Sequence, residues 1–300
     1  FLVAAHAATV TERLRFLIAH RPGFIAPTLA ARKFATFDHF TGGRVAVHMI
    51  AGGNDAEQAT DGDFLDKDSR YARMAEYMAV MEQSWTSDTP FDFDGVHYCV
   101  VGGFSDIRCV QQPRMPFFGG GGSTAALETL APCLDVFMLW GEPLADTATI
   151  IERIRAAGGE RTTPLTFSVS VRPIIADRED QAWDKAHAVL DGVVAAKARD
   201  YDNQPENRGS QRLLEAAARQ DVYDSCLWMP LATATGAHGN TTALVGTPET
   251  VAKALLAYYK LGASRILIRG WDPLPDAEAY GHELIPRFRE LVAEHDSEAD

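Results

Sequence analysis

Positive charge is scarce in this chain: its 300 residues hold 28 Lys and Arg against 41 Asp and Glu, a formal net charge of −13 at pH 7. That balance argues against nucleic acid or an anionic membrane surface as partner, since both require clustered cations to neutralise phosphates. An anionic ligand would have to be held by local arginines against this background. Long apolar runs are missing too. None approaches the roughly 20 residues that span a bilayer, and no signal peptide is visible. Cysteine is sparse: Cys99, Cys109, Cys133 and Cys226 show no CxxC or Cys/His metal spacing, so no metal site is expected and reduced thiols in a cytoplasm are the default. There is no nucleophile elbow, Walker motif, metal-ligand helix or dinucleotide fingerprint, and Gly119–Gly122 does not fit G-x-G-x-x-G. Internal repeats, low-complexity tracts and Pro/Ser linkers are absent. With 46% hydrophobic residues, the chain reads as one large domain over 1–300.

What the chain does have is six short apolar runs: Arg15–His20, Arg44–Gly53, Pro116–Gly122, Val136–Glu142, Thr166–Ile175 and Arg265–Gly270. Each is nearly continuous in apolar residues, as in a parallel strand covered on both faces. Segments of helical spacing lie between them; in Asp180–Val194, Trp183, Ala186, Val189 and Leu190 share one face. Strand and helix alternate, so the expected class is α/β with a parallel sheet, read as a (β/α)8 TIM barrel whose chemistry sits at the C-terminal ends of its strands. A closed barrel of that kind needs about eight units. Phe1 is not a methionine, and Leu2, Ala5, His6, Ala8, Thr9 and Leu14 have the spacing of an amphipathic helix already under way. The expectation is therefore a chain lacking an N-terminal strand, helix and second strand, with an open six-stranded sheet as the alternative. Two stretches break the period. Residues 91–110 alternate around Asp94-Gly95 like a β-hairpin, and 195–242 is a long polar excursion of the kind that forms lids or binding loops.

Candidate chemistry gathers at the strand ends. Gly119–Ser123 leaves a strand and opens a helix, so it serves either as a phosphate cradle or as a plain tight connection. His48 points either into the barrel mouth or between helix and sheet. Tyr71, with Met74, Met78 and Met81, is either a packing stripe or a source of a phenol donor. Arg172 interrupts an apolar strand beside Pro173. Buried charge is costly unless paired, so it must meet a carboxylate or an anionic ligand, with Ser168 and Ser170 sharing its parity. Trp140 and Trp271 end two other strands, where tryptophan can wall a flat heteroaromatic ring or cap a core.

Several blocks in order, from TERLRFLIAHRPGFIAPTLAARKFATFDHFTGGRVAVHMIAGG through DGDFLDKDSRY, VQQPRMPFFGGGGS and LDVFMLWGEP to TALVGTPETVAKAL, resemble the bacterial luciferase-like flavin-dependent monooxygenases, and most of all the FMNH2-dependent alkanesulfonate monooxygenases. The resemblance runs from Phe1 to about Pro286. It implies a barrel that takes reduced FMN from a separate NAD(P)H-dependent reductase and adds O2 to give a C4a-peroxyflavin. That species attacks a small organosulfur substrate; an alkanesulfonate would yield an aldehyde and sulfite. It also implies a dimer or tetramer. By position, Tyr71, Ser123 and the amides around Gly122 match the family's grip on the flavin phosphate, while His48 and Ala51 match residues beside the isoalloxazine and Trp140 lies at the same mouth. The candidate catalytic residues Arg172, His238 and Trp271 stand where the alkanesulfonate pattern carries other side chains: its strand arginine and histidine are replaced by Ser170 and Arg172, its lid arginine falls near Ala237 beside His238, and its tyrosine after the last strand is Trp271. Two rival expectations remain, a deazaflavin-dependent hydride-transfer enzyme of the same superfamily and an inactive truncated barrel.

Overall fold

The computed structural model describes residues 1–196, 205, 207–239 and 241–299, in two compact units: Phe1–Phe137 with Ile154–Leu165, and Met138–Arg153 with Thr166–Asp300. Of the expected excursion at 195–242, residues 197–204, 206 and 240 lie outside the described set.

In the first unit the order is α1 (Leu2–Thr9), β1 (Phe16–His20), α2 (Pro27–Thr41), β2 (Val45–Met49), α3 (Asp55–Thr60), α4 (Lys67–Thr86), the hairpin β3 (Phe91–Asp94) and β4 (Cys99–Gly103), β5 (Phe117–Gly119), α5 (Thr124–Leu130) and the start of β6 (Val136–Trp140). β1, β2, β5 and β6 are successive parallel neighbours, with Ala19 opposite His48, His48 opposite Phe118, and Phe118 opposite Val136. Among the described residues β1 is paired by β2 alone, so the sheet does not close there. Alternation sorts the two faces. Phe16, Ile18, Val45, Val47 and Met49 are buried, whereas Leu17, Ala46 and His48 are only partly covered or exposed. α4 fills the helical side with Met74, Met78 and Met81. Trp85 ends that stripe, stacked on Phe117 at 5.4 Å and donating Nε1–H to the Ala31 carbonyl at 2.9 Å.

Local signals account for the element ends. α2 starts with Pro27 in its first turn and stops at Gly42 in the left-handed region, φ 62°. α4 starts where the Asp66 carboxylate accepts the Ser69 N–H at 2.9 Å. The hairpin at 91–110 forms as its alternation predicts, with Asp94 opposite Cys99. Its turn is tied to α4 because the Glu76 carboxylate accepts the N–H groups of Val96, His97 and Tyr98. α1 differs from expectation. The helix forms, but none of its residues is buried: Leu2 and Val3 are each 84% exposed, and only its alanines are partly covered.

The second unit completes β6 and adds α6 (Leu144–Gly158), β7 (Thr166–Ile175), α7 (Glu179–Ala196), α8 (Arg208–Arg219), the short strands β8 (Val222–Tyr223) and β9 (Leu227–Trp228), α9 (Pro230–Ala234), β10 (Ala243–Gly246), α10 (Pro248–Lys260), β11 (Arg265–Ile268), α11 (Pro273–Ala279), a π-helical turn at Tyr280–Leu284 and α12 (Ile285–Ala299). α6 begins in this unit and ends in the first. β7 is the spine. Its first half pairs in parallel with β11 and its second half with β10. β10 is a parallel strand beyond the six anticipated runs, only four residues long and wholly buried. β9 and β8 then extend it in antiparallel fashion. α7 packs Ala182 and Ala186 on a core of Ile174, Trp228, Leu231 and Val245. No helix among the described residues is long and apolar enough to cross a membrane.

Candidate active site

In the first unit, β2 carries His48 on the face opposite Val47 and Met49, away from the helices. Burial pushes its imidazole pKa down, so the ring is neutral near pH 7 and offers one donor and one acceptor. Ala51 lies just beyond the strand end, half-buried. Gly52 follows at φ 90°, where a Cβ would come within 2.4 Å of the Gln58 side chain, so only glycine fits that turn.

Two arginines of α4 fix the segment after β2. Arg70 is buried and donates to the Leu65 carbonyl at 2.5 Å and to Asp55 Oδ1 at 2.6 Å. Arg73 pairs with Asp63 and donates to the Pro22 carbonyl at 3.1 Å, tying in the loop after β1 as well. Tyr71 stands between them in sequence, its ring buried and its phenol pKa raised mainly by that burial, so it is a neutral donor. Its hydroxyl has no hydrogen-bond partner among the described residues and reaches the turn after β5: a Cβ on Gly121 would lie 3.0 Å from Tyr71 Oη and 2.5 Å from Ala126 Cβ. Gly122 comes next, and Ser123 caps α5, its Oγ accepting the Ala126 N–H at 3.2 Å while its own proton remains available. The first unit thus brings Tyr71 to the Gly122–Ser123 turn.

In the second unit Trp140 ends β6, half-buried, with its ring edge 3.1 Å from where a Cβ on Gly209 would stand. The adjacent Glu142 is buried and pairs with Arg212 through contacts of 2.7 and 3.0 Å. Arg172 lies halfway along β7, its N–H donating to the Thr242 carbonyl at 3.0 Å. Its guanidinium sits 4.6 Å from the Trp271 ring centroid, and its pKa is lowered first by burial and then by the charge of Arg269. The Trp271 backbone N–H donates to Asp276 at 2.7 Å, while its indole N–H is buried without a partner among the described residues. Arg172 and Trp271 are therefore together. His238 is exposed on the turn after α9, next to Ala237 at φ 51°, whose carbonyl accepts the Ser210 hydroxyl at 2.5 Å.

Sequence reasoning missed Arg269. The run Arg265–Ile268 was legible, but the place of Arg269, one step beyond the pairing of Ile268 with Val171, is a register fact. The local signal was parity: Arg265, Leu267 and Arg269 share the face of Ser168, Ser170 and Arg172. Among the described residues, no group of three or more His, Cys, Asp or Glu side chains converges as a metal site would require.

The sequence profile of the luciferase-like monooxygenases matches residues 1–265, and the chain belongs to that family. Solved structures agree on the fold. A riboflavin lyase, solved with modified FMN and riboflavin, superposes with a TM-score of 0.77 at 20% identity over 96% of this chain and 73% of that one. The EDTA monooxygenase of Chelativorans sp. BNC1 superposes at 0.76 and 16% identity, over 96% and 76% of the two chains. An F420-dependent secondary alcohol dehydrogenase follows at 0.66 and 15%, over 95% and 82%. The chain thus has an α/β fold with a parallel sheet, shared with flavin- and deazaflavin-dependent oxidoreductases.

The residues of the first unit suit a flavin mononucleotide. On the face of His48 the flanking residues of β1 and β2, Ala19 and Ala46, are small and Ala51 follows the strand, while Phe118 stands opposite His48 on β5 and offers an aromatic neighbour to a planar ring. A neutral imidazole can hydrogen-bond its polar edge, and the unused Tyr71 hydroxyl beside the Gly121–Ser123 turn suits a phosphate.

Proposed function

We propose that this protein is a two-component FMNH2-dependent monooxygenase that uses O2 to oxidise a small organosulfur compound of alkanesulfonate type, releasing an aldehyde and sulfite. The observation that carries the reading is the unpartnered Tyr71 hydroxyl held against Gly121 in a chain of this family. Reduced FMN, when bound, supplies the activation of O2; a separate NAD(P)H-dependent flavin reductase provides it in that form. The protein's part is orientation and electrostatics. Tyr71, Ser123 and the amides around Gly122 hold the phosphate, and pinning by Arg70 and Arg73 keeps Tyr71 in place. Neutral His48 orients the ring, with Ala51 leaving room beside it. Arg172, with Trp271 stacked beneath it, binds the anionic head of the substrate, aided by His238. The enzyme works in the cytoplasm as a dimer or tetramer.

The test is a titration with FMN, oxidised and reduced, following flavin fluorescence. Tight binding that favours the reduced form supports the reading; absence of binding in either state overturns it. Arg172→Ala should raise KM or abolish turnover with FMN affinity unchanged, and unaltered turnover would remove Arg172 from the site. The fold shared with the F420-dependent dehydrogenase favours one rival, a deazaflavin-dependent oxidoreductase. Titrating both cofactors side by side decides between them.

A further inference from the structure

The segments that follow β1 and β2 in the first unit are tied to one another. Arg21, just after β1, donates to Glu57 Oε1 on α3 at 2.5 Å and lies 3.9 Å from Asp61. Arg73 of α4 pairs with Asp63 and donates to the Pro22 carbonyl at 3.1 Å, so close that a Cβ on Gly23 would stand 2.6 Å from the guanidinium carbon. From this clamped pair each segment turns a phenylalanine to solvent: Phe24 is 39% exposed and Phe64 83%. A slack loop does not explain Phe64, because both its neighbours are fixed. Asp63 is held by Arg73 and accepts the Leu65 N–H at 3.3 Å, and the Leu65 carbonyl accepts from buried Arg70. An aromatic ring on backbone that is already ordered gives up little freedom on binding, which is the property of an interface anchor.

The surroundings of that ring are acidic. Asp55, Glu57, Asp61, Asp66 and Asp68 are all exposed, and the Ser69 N–H and hydroxyl donate to Asp66 and hold its carboxyl below the usual range. Much of the compensating charge lies beneath the surface: Arg70 is fully buried and Arg73 largely so. Arg21 is more open and faces two carboxylates, and half-buried Lys67 is the single cation in the sequence from 55 to 68. Charge sign then selects the occupant. A second copy docked about a two-fold axis through this patch would set the same carboxylates face to face, and an anionic membrane would meet them too; like charge opposes both. A cationic protein surface around an apolar recess is complementary to it.

We propose that Phe64 and Phe24, with the carboxylates of Asp55, Glu57, Asp61 and Asp68, form the docking site of the flavin reductase, which meets them with a basic surface around an apolar recess. That the partner is the reductase rests on the flavin monooxygenase reading; that the patch takes a cationic protein rests on its exposure and charge. The patch follows β1 and β2, and β2 carries His48, so a reductase docked here releases reduced flavin near the strand end that orients it.

The experiment uses the full chain and the purified NAD(P)H-dependent FMN reductase of the same organism, their association followed by surface plasmon resonance without flavin. Affinity should fall steeply as salt rises. Phe64→Ala should weaken it about tenfold, chiefly through faster dissociation, and Asp61→Asn combined with Asp68→Asn about threefold through slower association, with melting temperatures near the original value. In turnover, Phe64→Ala should raise the reductase concentration needed for half-maximal rate by a similar factor, while the rate with chemically reduced FMN stays the same. Salt-independent binding, or full affinity in Phe64→Ala, would overturn the proposal. So would a Phe64→Ala protein that changes from dimer to monomer, which gives the patch to a second copy, or one whose KM for the organosulfur substrate rises with chemically reduced FMN, which gives it to the substrate. Absence of reductase binding beside tight FMN binding overturns the docking site alone. Reductase binding through Phe64 in a chain that does not bind FMN sinks the flavin reading and leaves the docking site standing.

Discussion

The arginines of the two units are used differently. In the first unit the arginines that are buried or half-buried are committed to the fold's own acceptors, with Arg13, Arg15 and Arg32 left exposed on the surface: Arg70 to Leu65 and Asp55, Arg44 to the carbonyls of Thr41, Leu14 and Ala8, Arg114 to Asp135 and Glu82, Arg161 to the carbonyls of Ala131 and Leu134. In the second unit most are likewise paired, as Arg212 is with Glu142 and Arg287 with Glu249, but Arg269 stands exposed beside another guanidinium. An arginine's task is thus set by the acceptors the fold brings to it. A scarcity of positive charge in the whole chain says little about where an anion can bind.

The contrast breaks most severely if Arg70 is dispensable. Arg70→Ala leaves the Leu65 carbonyl without its donor and empties the space of a fully buried side chain, while the exposed Asp55 carboxylate is resolvated, and should cost about 3 kcal/mol in urea unfolding. Arg269→Gln, by contrast, should change stability by less than about 0.5 kcal/mol. Comparable losses from the two would show that Arg269 is structural after all.

A second difference is acid sensitivity. His20 ends β1 with its Nε2 2.7 Å from Tyr77 Oη, and burial, aided by the charge of Lys33, lowers its pKa from 6.5 to about 4. Its folded-state pKa lies below that of the unfolded chain, so protons bind the unfolded form first as pH falls. This group therefore removes no stability near pH 7. It removes stability progressively from 6.5 down to about 4 and nothing further below that. The full loss is about 3 kcal/mol. In His20→Gln the fall across that window should be shallower; an identical acid limb would show that the imidazole is protonated within the folded protein.

The sequence made the strand ends legible and the register less so. Thr166–Ile175 was read to its true bounds because its β-branched and aromatic residues recur from Phe167 to Ile175 and stop before the charged Asp177-Arg178. β10 escaped notice because four residues after a glycine- and threonine-rich loop carry too little period. The glycines and Ser123 of the first unit were visible as a turn, since they are contiguous. Tyr71 could be joined to them only through the family resemblance, because its contact with Gly121 spans α4 and the turn after β5. The pairing of Arg172 with Arg269 depends on how β11 slides along β7, which no local pattern encodes. α1 was found as a helix, yet its spacing could not say that none of its residues would be buried.

The Tyr71 contact gives a smaller, sharper test. Gly121→Ala pushes a methyl group toward Ala126, which cannot rotate away, and toward Tyr71 Oη. FMN affinity should fall about tenfold with riboflavin affinity unchanged, because only the phosphate end is displaced. An equal loss for both ligands would move the phosphate elsewhere.

The least effect is expected at Ala237 in the second unit, where backbone conformation and packing oppose each other. At φ 51° an alanine costs roughly 1 kcal/mol relative to glycine. The same methyl group is fully buried, and its burial contributes about 0.8 kcal/mol. The Ser210 hydroxyl and the Ala232 carbonyl hold the backbone in place whichever residue is present, through bonds of 2.5 and 2.7 Å. Ala237→Gly should therefore shift stability by no more than about 0.5 kcal/mol in either direction. A gain beyond about 1 kcal/mol would mean that the turn carrying His238 is held under strain that alanine imposes, and a loss of that size would mean that the methyl group is a packing contact the turn depends on.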